Sequence, residues 1–289
     1  MTTATALDIG RMAQLACLLE VSAPKPGNVS PGRPFADTRY EEFVASAVAI
    51  GGPLSGAGTR ALGETIRLAV EATAAWTDSN TNLGIVLLLA PLARAAALST
   101  ATMPMGESLR DVLGSTTVDD ARAVYAAIRL ASPGGLGRAD AQDISGEPTV
   151  TLLEAMRLAA DRDTIASEYG SGFQITFGAG VPALTRARCD RLSWDDAIVE
   201  TFLTLLAARP DTHIARRGGA ALAADVTRRA KDVLADGGVR SARGREAIDA
   251  LDRSLREDGN LANPGTTADL TAAAIFVMLM DGGWNAAAR

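Results

Sequence analysis

Lysine, histidine and cysteine are nearly missing from this chain. Of its 28 basic residues only Lys25 and Lys231 are lysine, so 26 are arginine; His213 is the single histidine, and Cys17 and Cys189 are the two cysteines. One histidine rules out a metal site built on a histidine pair. Two distant cysteines in no C-x-x-C arrangement suggest neither a zinc site nor a disulfide framework. A reducing, cytoplasmic setting is expected. Positive charge is also short: the net charge is −6 and the isoelectric point near 5.0, which argues against nucleic acid as a partner, because binding phosphate in bulk needs a basic face. A long hydrophobic run is missing too. The most apolar segment, Leu83 to Leu98, is interrupted by Pro91 and Arg94, and the opening MTTATALDIGRM has neither the basic start nor the apolar stretch of a signal peptide. No membrane partner is expected.

What the chain does have is apolar content, 47% of 289 residues, with a mean hydropathy of +0.12. That is enough for a buried core and excludes a disordered chain. Apolar residues recur at helical spacing, as in Ile9, Met12, Ala13, Ala16 and Leu19, and strand-like alternation is scarce. Helix-start signals pair a hydroxyl with an acid three residues on: Thr38 with Glu41, Thr117 with Asp120, Ser193 with Asp196. The spacing predicts an all-α, single compact domain over 1–289, with about ten helices near 5–22, 38–51, 57–76, 82–98, 117–131, 149–169, 193–208, 215–236, 241–257 and 266–281. Gly- and Pro-rich stretches at 22–34, 131–148 and 263–267 read as shaped loops. No internal repeat suggests a solenoid. Alanine-rich helical proteins often self-associate, and a homodimer is the assembly considered.

Four stretches carry polar residues that chemistry could use. In EVSAPKPGNVSP, Lys25 follows Glu20 on a backbone stiffened by Pro24, Pro26 and Gly27; it suits a phosphate as a compact charge, and equally reads as a surface-loop lysine. In SNTNLG, Asn80, Thr81 and Asn82 stand where a helix start would favour an anion, although plain N-capping accounts for them too. In DTHIARRGG, Asp211 and Thr212 can cap a helix, Arg217 carries charge, and Gly218-Gly219 permits close backbone approach; a lone histidine such as His213 is more often structural than catalytic. In ANPGTTADL, Thr266 or Thr267 can cap a helix whose first turn holds Asp269. Asp143 and Asp163, with Asp211 and Asp269, are candidate Mg²⁺ ligands, although most acids are merely solvated.

Taken in order, these stretches resemble the triphosphoribosyl-dephospho-CoA synthase family, in a divergent branch like that of archaeal and one-carbon-metabolising bacterial members. The resemblance rests on Glu20, Pro24 to Gly27, Asn80, Thr81, Gly84, Asp211, Thr212, Arg217 to Gly219, Pro264, Gly265 and Ala268 to Leu270. It implies an all-α transferase that moves a 5-triphosphoribosyl group from ATP to the ribose 2′-hydroxyl of 3′-dephospho-CoA and releases adenine. Glu20 and Asp211 would then be catalytic, and His213, although a departure from the family pattern, is kept as a catalytic candidate beside them. Lys25, Asn80, Thr81, Asn82, Arg217, Gly218, Gly219, Thr266 and Thr267 would bind nucleotide and phosphate, with Mg²⁺ as cofactor and ATP as substrate. The chain departs from the family pattern at Ser30, Asn82, Leu83, His213 and Asn263 to Thr267. Its central segment, 134–173, also differs. Other readings are a nucleotide-using enzyme making a methanopterin- or methanofuran-type one-carbon carrier, a Mg²⁺-dependent phosphohydrolase, and a helical protein that binds without catalysing.

Overall fold

The helices begin where a short polar side chain can take up the free N–H groups of a first turn. Thr117 and Thr151 form complete reciprocal boxes with Asp120 and Glu154, while Asp163, Ser193, Asp211 and Ser241 each accept from a first-turn amide. At the other expected start, Thr38 donates to Asp37 and the helix opens at Tyr40. The computed structural model describes residues 5–284 apart from 136, and among these it holds fifteen α-helices and no strand. The all-α expectation is therefore met. Contacts divide the chain into two units: Met1–Cys17 with Glu42–Gln174, and Leu18–Glu41 with Ile175–Arg289.

The first unit comprises most of α1 (Ala6–Ser22) and α2 (Tyr40–Ala49), then α3 (Gly51–Ser55), α4 (Leu62–Ala74), α5 (Leu83–Leu98), α6 (Met105–Gly114), α7 (Val118–Ala131), α8 (Leu152–Ala159) and α9 (Thr164–Ser171). Its centre is α5, buried along nearly its whole length. Gly63 lets α4 meet α7 closely, since a Cβ there would lie 2.5 Å from Asp120 backbone, and Gly63 N donates to Asp120 Oδ1 at 2.7 Å. Helix α5 continues through Pro91, whose missing N–H would leave Leu87 O without its i+4 partner. The hydroxyl of Tyr169, a wholly buried residue, donates to that carbonyl at 2.6 Å. Among the described residues no helix is long and apolar enough to cross a membrane.

The second unit holds α10 (Val181–Cys189), α11 (Trp194–Ala208), α12 (Thr212–Gly218), α13 (Ala220–Ala235), α14 (Ala242–Leu255) and α15 (Gly265–Met280). Ile198, Phe202 and Leu206 of α11 are buried with Ile275 and Phe276 of α15, and α11 packs on α10, α13 and α15. A π-helical turn at Thr176–Gly180 precedes α10. Pro182 follows it at the start of α10, where an absent N–H costs least.

Several expected boundaries are corrected. The 38–51 helix is α2, with α3 beginning only at its last residue, and 57–76 shortens to α4. The 149–169 helix divides at Asp163, which caps α9, and 215–236 divides at Gly219, whose φ of +90° no helix accepts. Helices α6 and α10 were not expected at all. Each starts beside a proline, and glycines at 178 and 180 lower local helix propensity ahead of α10.

Candidate functional site

In the second unit three of the four polar stretches, far apart in sequence, join into one hydrogen-bonded frame. The tie between the second and third is Asp211, the N-cap of α12. Its Oδ1 accepts from His213 N at 2.8 Å and Ile214 N at 3.0 Å. Its Oδ2 accepts from Thr267 N and Thr267 Oγ1, both at 2.7 Å. One carboxylate thereby fastens the starts of α12 and α15 together, where two sets of free amides favour a negative charge. Burial pushes the Asp211 carboxyl up, and the bonds from Thr267, Ile214 and His213 pull against that rise. Beside it, the hydroxyls of Thr212 and Thr266 lie 3.2 Å apart.

The first stretch enters through Asn28, whose amide nitrogen donates to Asn263 Oδ1 at 2.5 Å. It is held from within by Lys25, which is 0% exposed. The ammonium pairs with Glu20 Oε1 at 2.9 Å and donates to the carbonyls of Glu20 and Ala23. An ammonium has three protons, and here all three are engaged inside the loop. The expected role of Lys25 as a phosphate-facing charge is thus corrected: it is the internal counter-ion of Glu20 and the pin of a tight turn. Glu20 and Asp211, expected as catalytic carboxylates, are 4% and 2% exposed; Glu20 Oε1 pairs with Lys25, and both Asp211 oxygens accept from protein donors.

Arg217 faces solvent. Its guanidinium donates to Asn260 O at 3.4 Å and Asn260 Oδ1 at 2.5 Å, and the Asn260 amide reaches both oxygens of Asp37, at 3.0 and 2.7 Å. His213 lies partly buried against Gly265, where any Cβ would overlap the ring nitrogen Nδ1. Burial, aided by the charges of Arg216 and Arg217, brings the imidazole down to about 4, so the ring is neutral at pH 7. The glycine pair serves the backbone: a Cβ on Gly218 would run into Leu222, and Gly219 supplies the left-handed break between α12 and α13.

The remaining expected residues lie in the first unit, apart from Asp269. Asn80 Oδ1 accepts from Leu83 N at 3.1 Å, an N-cap contact. Thr81 shares a hydrogen bond of 2.5 Å with Ser46, and Asn82 donates to Thr73 Oγ1 at 3.0 Å. Both are 6% exposed, so their polar groups serve the fold where an anion seat was expected. Asp143 closes a local turn by accepting from Ala139 N, Ser145 N and Ser145 Oγ, bonds that hold its carboxyl down at about 2, and Asp163 caps α9. Asp269 lies partly buried in α15. Among the described residues no three His, Cys, Asp or Glu side chains group as a metal site. Of the four aspartates expected as Mg²⁺ ligands, Asp143, Asp163 and Asp211 accept from backbone amides of the fold.

Sequence reasoning missed Asn28, Asp252, Arg256 and Asn260. Asp252 Oδ1 accepts from Gly27 N at 2.8 Å and from Arg256 Nε at 2.9 Å. Asp252 and Arg256 form an i, i+4 pair, but Gly27 lies 225 residues before Asp252, so local spacing could not mark their meeting with the loop.

Comparison with known proteins adds a family. The family described as CitG, ATP:dephospho-CoA triphosphoribosyl transferase, matches residues 6–288. A "Probable 2-(5''-triphosphoribosyl)-3'-dephosphocoenzyme-A synthase" of Pseudomonas putida is 36% identical over 106 residues, 37% of this chain and 37% of that protein. A protein of the same name from Vibrio cholerae serotype O1 (strain M66-2) is 27% identical across 92% of this chain and 85% of its own length. The chain thus spans little more than a third of the Pseudomonas relative, and most of the Vibrio one. The crystal structure of a putative triphosphoribosyl-dephospho-CoA synthase from Archaeoglobus fulgidus superposes with a TM-score of 0.64 at 27% identity, covering 83% of this chain and 99% of that one.

Proposed function

Since the chain belongs to the family of ATP:dephospho-CoA triphosphoribosyl transferases, we propose that it transfers a triphosphoribosyl group from ATP to the hydroxyl of a small acceptor, 3′-dephospho-CoA. In that reaction the acceptor oxygen bonds to C1′ of the ATP ribose as the C1′–N9 bond breaks. The bonding pair leaves with adenine, which gains a proton, and the hydroxyl loses one. The observation that carries the reading is the joining of residues 20–28, 211–219 and 260–267 in one frame that leaves Arg217 exposed.

Each residue contributes according to its surroundings. Arg217, held by Asn260, offers a guanidinium to the phosphate chain. His213 is a neutral ring at pH 7 and adds no charge beside Arg217. Glu20 with Lys25, and Asp211 with Thr267, hold the frame in place. Mg²⁺ enters the proposal as the counter-ion of the ATP triphosphate, which needs only one or two protein carboxylates beside the phosphates. The proposal treats 1–289 as one functional domain, supported by a family match that runs over 6–288. Composition alone adds a cytoplasmic homodimer to it.

The test is mass spectrometry of products after incubation with ATP, Mg²⁺ and 3′-dephospho-CoA. Free adenine and an acceptor heavier by one triphosphoribosyl group are expected. Formation of ADP or AMP without adenine would overturn the reading.

A further inference from the structure

The loop after α1 is also fastened by Asp252 of α14 and by Arg256 just past its end, both outside the four polar stretches. Asp252 is 6% exposed. Besides Gly27 N and Arg256 Nε, it meets Arg33 Nη1 through Oδ2 at 3.3 Å. Arg256 spends its remaining donors on the same loop: Nη2 on Asn28 O, Nη1 on Arg33 O at 3.4 Å and Pro34 O at 3.5 Å. Its guanidinium carbon also stands 4.9 Å from the ring centre of Phe35. One carboxylate–guanidinium pair thus fixes the backbone at 27, 28, 33 and 34.

The fit is tight at the point that matters. Gly27 has φ +73°, and a Cβ there would lie 2.7 Å from Leu255 Cδ1, so the chain turns against α14 with no space to shift. The next residue is Asn28, whose amide reaches Asn263 beside Gly265, Thr266 and Thr267. Two ionic side chains one helical turn apart are costly to bury unless each polar atom has a partner. Here nearly every one points to the loop.

The geometry points to Asp252, with Arg256, as a positioning residue for the transfer reaction: it sets the register of the Lys25–Asn28 turn against the 260–267 turn. This rests on the transferase reading above. The pair touches no reacting atom and acts through Gly27 and Asn28, by preorganisation.

The experiment compares Asp252→Ala, Asp252→Asn and Arg256→Lys in the full chain. Hydrogen exchange followed by mass spectrometry reports the loop, and adenine release reports the reaction. Asp252→Asn keeps an acceptor for Gly27 N and loses the charge facing Arg33 and Arg256, so it serves if Asp252→Ala does not fold. Expected are faster exchange confined to residues 23–35 and a fall in kcat of about tenfold or more in Asp252→Asn, on the scale of misplaced reacting groups, with KM for ATP changed less than threefold. Arg256→Lys, which keeps the charge facing Asp252, should lose less kcat than Asp252→Asn. Unchanged exchange of the loop in Asp252→Asn overturns the inference, as does faster exchange with wild-type kcat. If wild-type protein releases no adenine, the transferase reading falls, and the exchange measurement alone still decides whether α14 sets the loop.

Discussion

A chain with one histidine allows that residue to be followed without interference. His213 has its ring turned into the fold against Gly265, with Arg216 and Arg217 near it, and its pKa falls from 6.5 to about 4. The sign of the stability effect follows from linkage. Below pH 6.5 the unfolded chain takes up a proton that the folded chain refuses until about pH 4, so stability contributed above 6.5 is lost as pH falls through that window. At pH 5 the unfolded imidazole is almost fully charged and the folded one almost fully neutral, which costs about 2 kcal/mol relative to pH 8. Two measurements check it. The two ring C–H resonances of this one imidazole should titrate together near pH 4 in proton NMR. Urea unfolding of the wild type should lose about 2 kcal/mol more between pH 8 and pH 5 than that of His213→Asn, at equal m. A ring midpoint at pH 6 or above, or equal losses in the two proteins, would refute the buried neutral imidazole.

Two further outcomes follow from the frame and the core. Asp211→Asn places an NH₂ donor against the Thr267 amide or the α12 amides, leaving buried donors unmatched; the cost is about 1–3 kcal/mol in urea unfolding, and full stability with abolished adenine release would instead mean that Asp211 acts on substrate. Tyr169→Phe strips Leu87 O of the donor that replaces the amide absent at Pro91, at a cost of about 1–2 kcal/mol; an unchanged melting temperature would count against that account.

How far the sequence could be read depended on whether each signal was local. Helices α5, α11 and α15 are dense in apolar residues, and their bounds were anticipated to within a residue or two. Thr117 and Asp120 lie three apart, and the predicted box forms. Helix α10 escaped because Gly178 and Gly180 just ahead of it, with Pro182, read as a loop, while burial of Ala183, Leu184 and Ala187 favours the helix. In the site, the types of residue were legible and their directions were not. Lys25 reads as a surface charge in a proline-rich loop until its ammonium is seen bound to Glu20 and two carbonyls.

The sequence by itself determined the helical class and four ordered polar stretches, because helical periodicity, capping pairs and glycine-proline turns act within a few residues of chain. Tertiary structure alone decided which charges face inward. Asp211 meets Thr267 across 56 positions, and Asp252 meets Gly27 across 225. A carboxylate's role depends on the donors that surround it, and those donors come together only when distant segments pack.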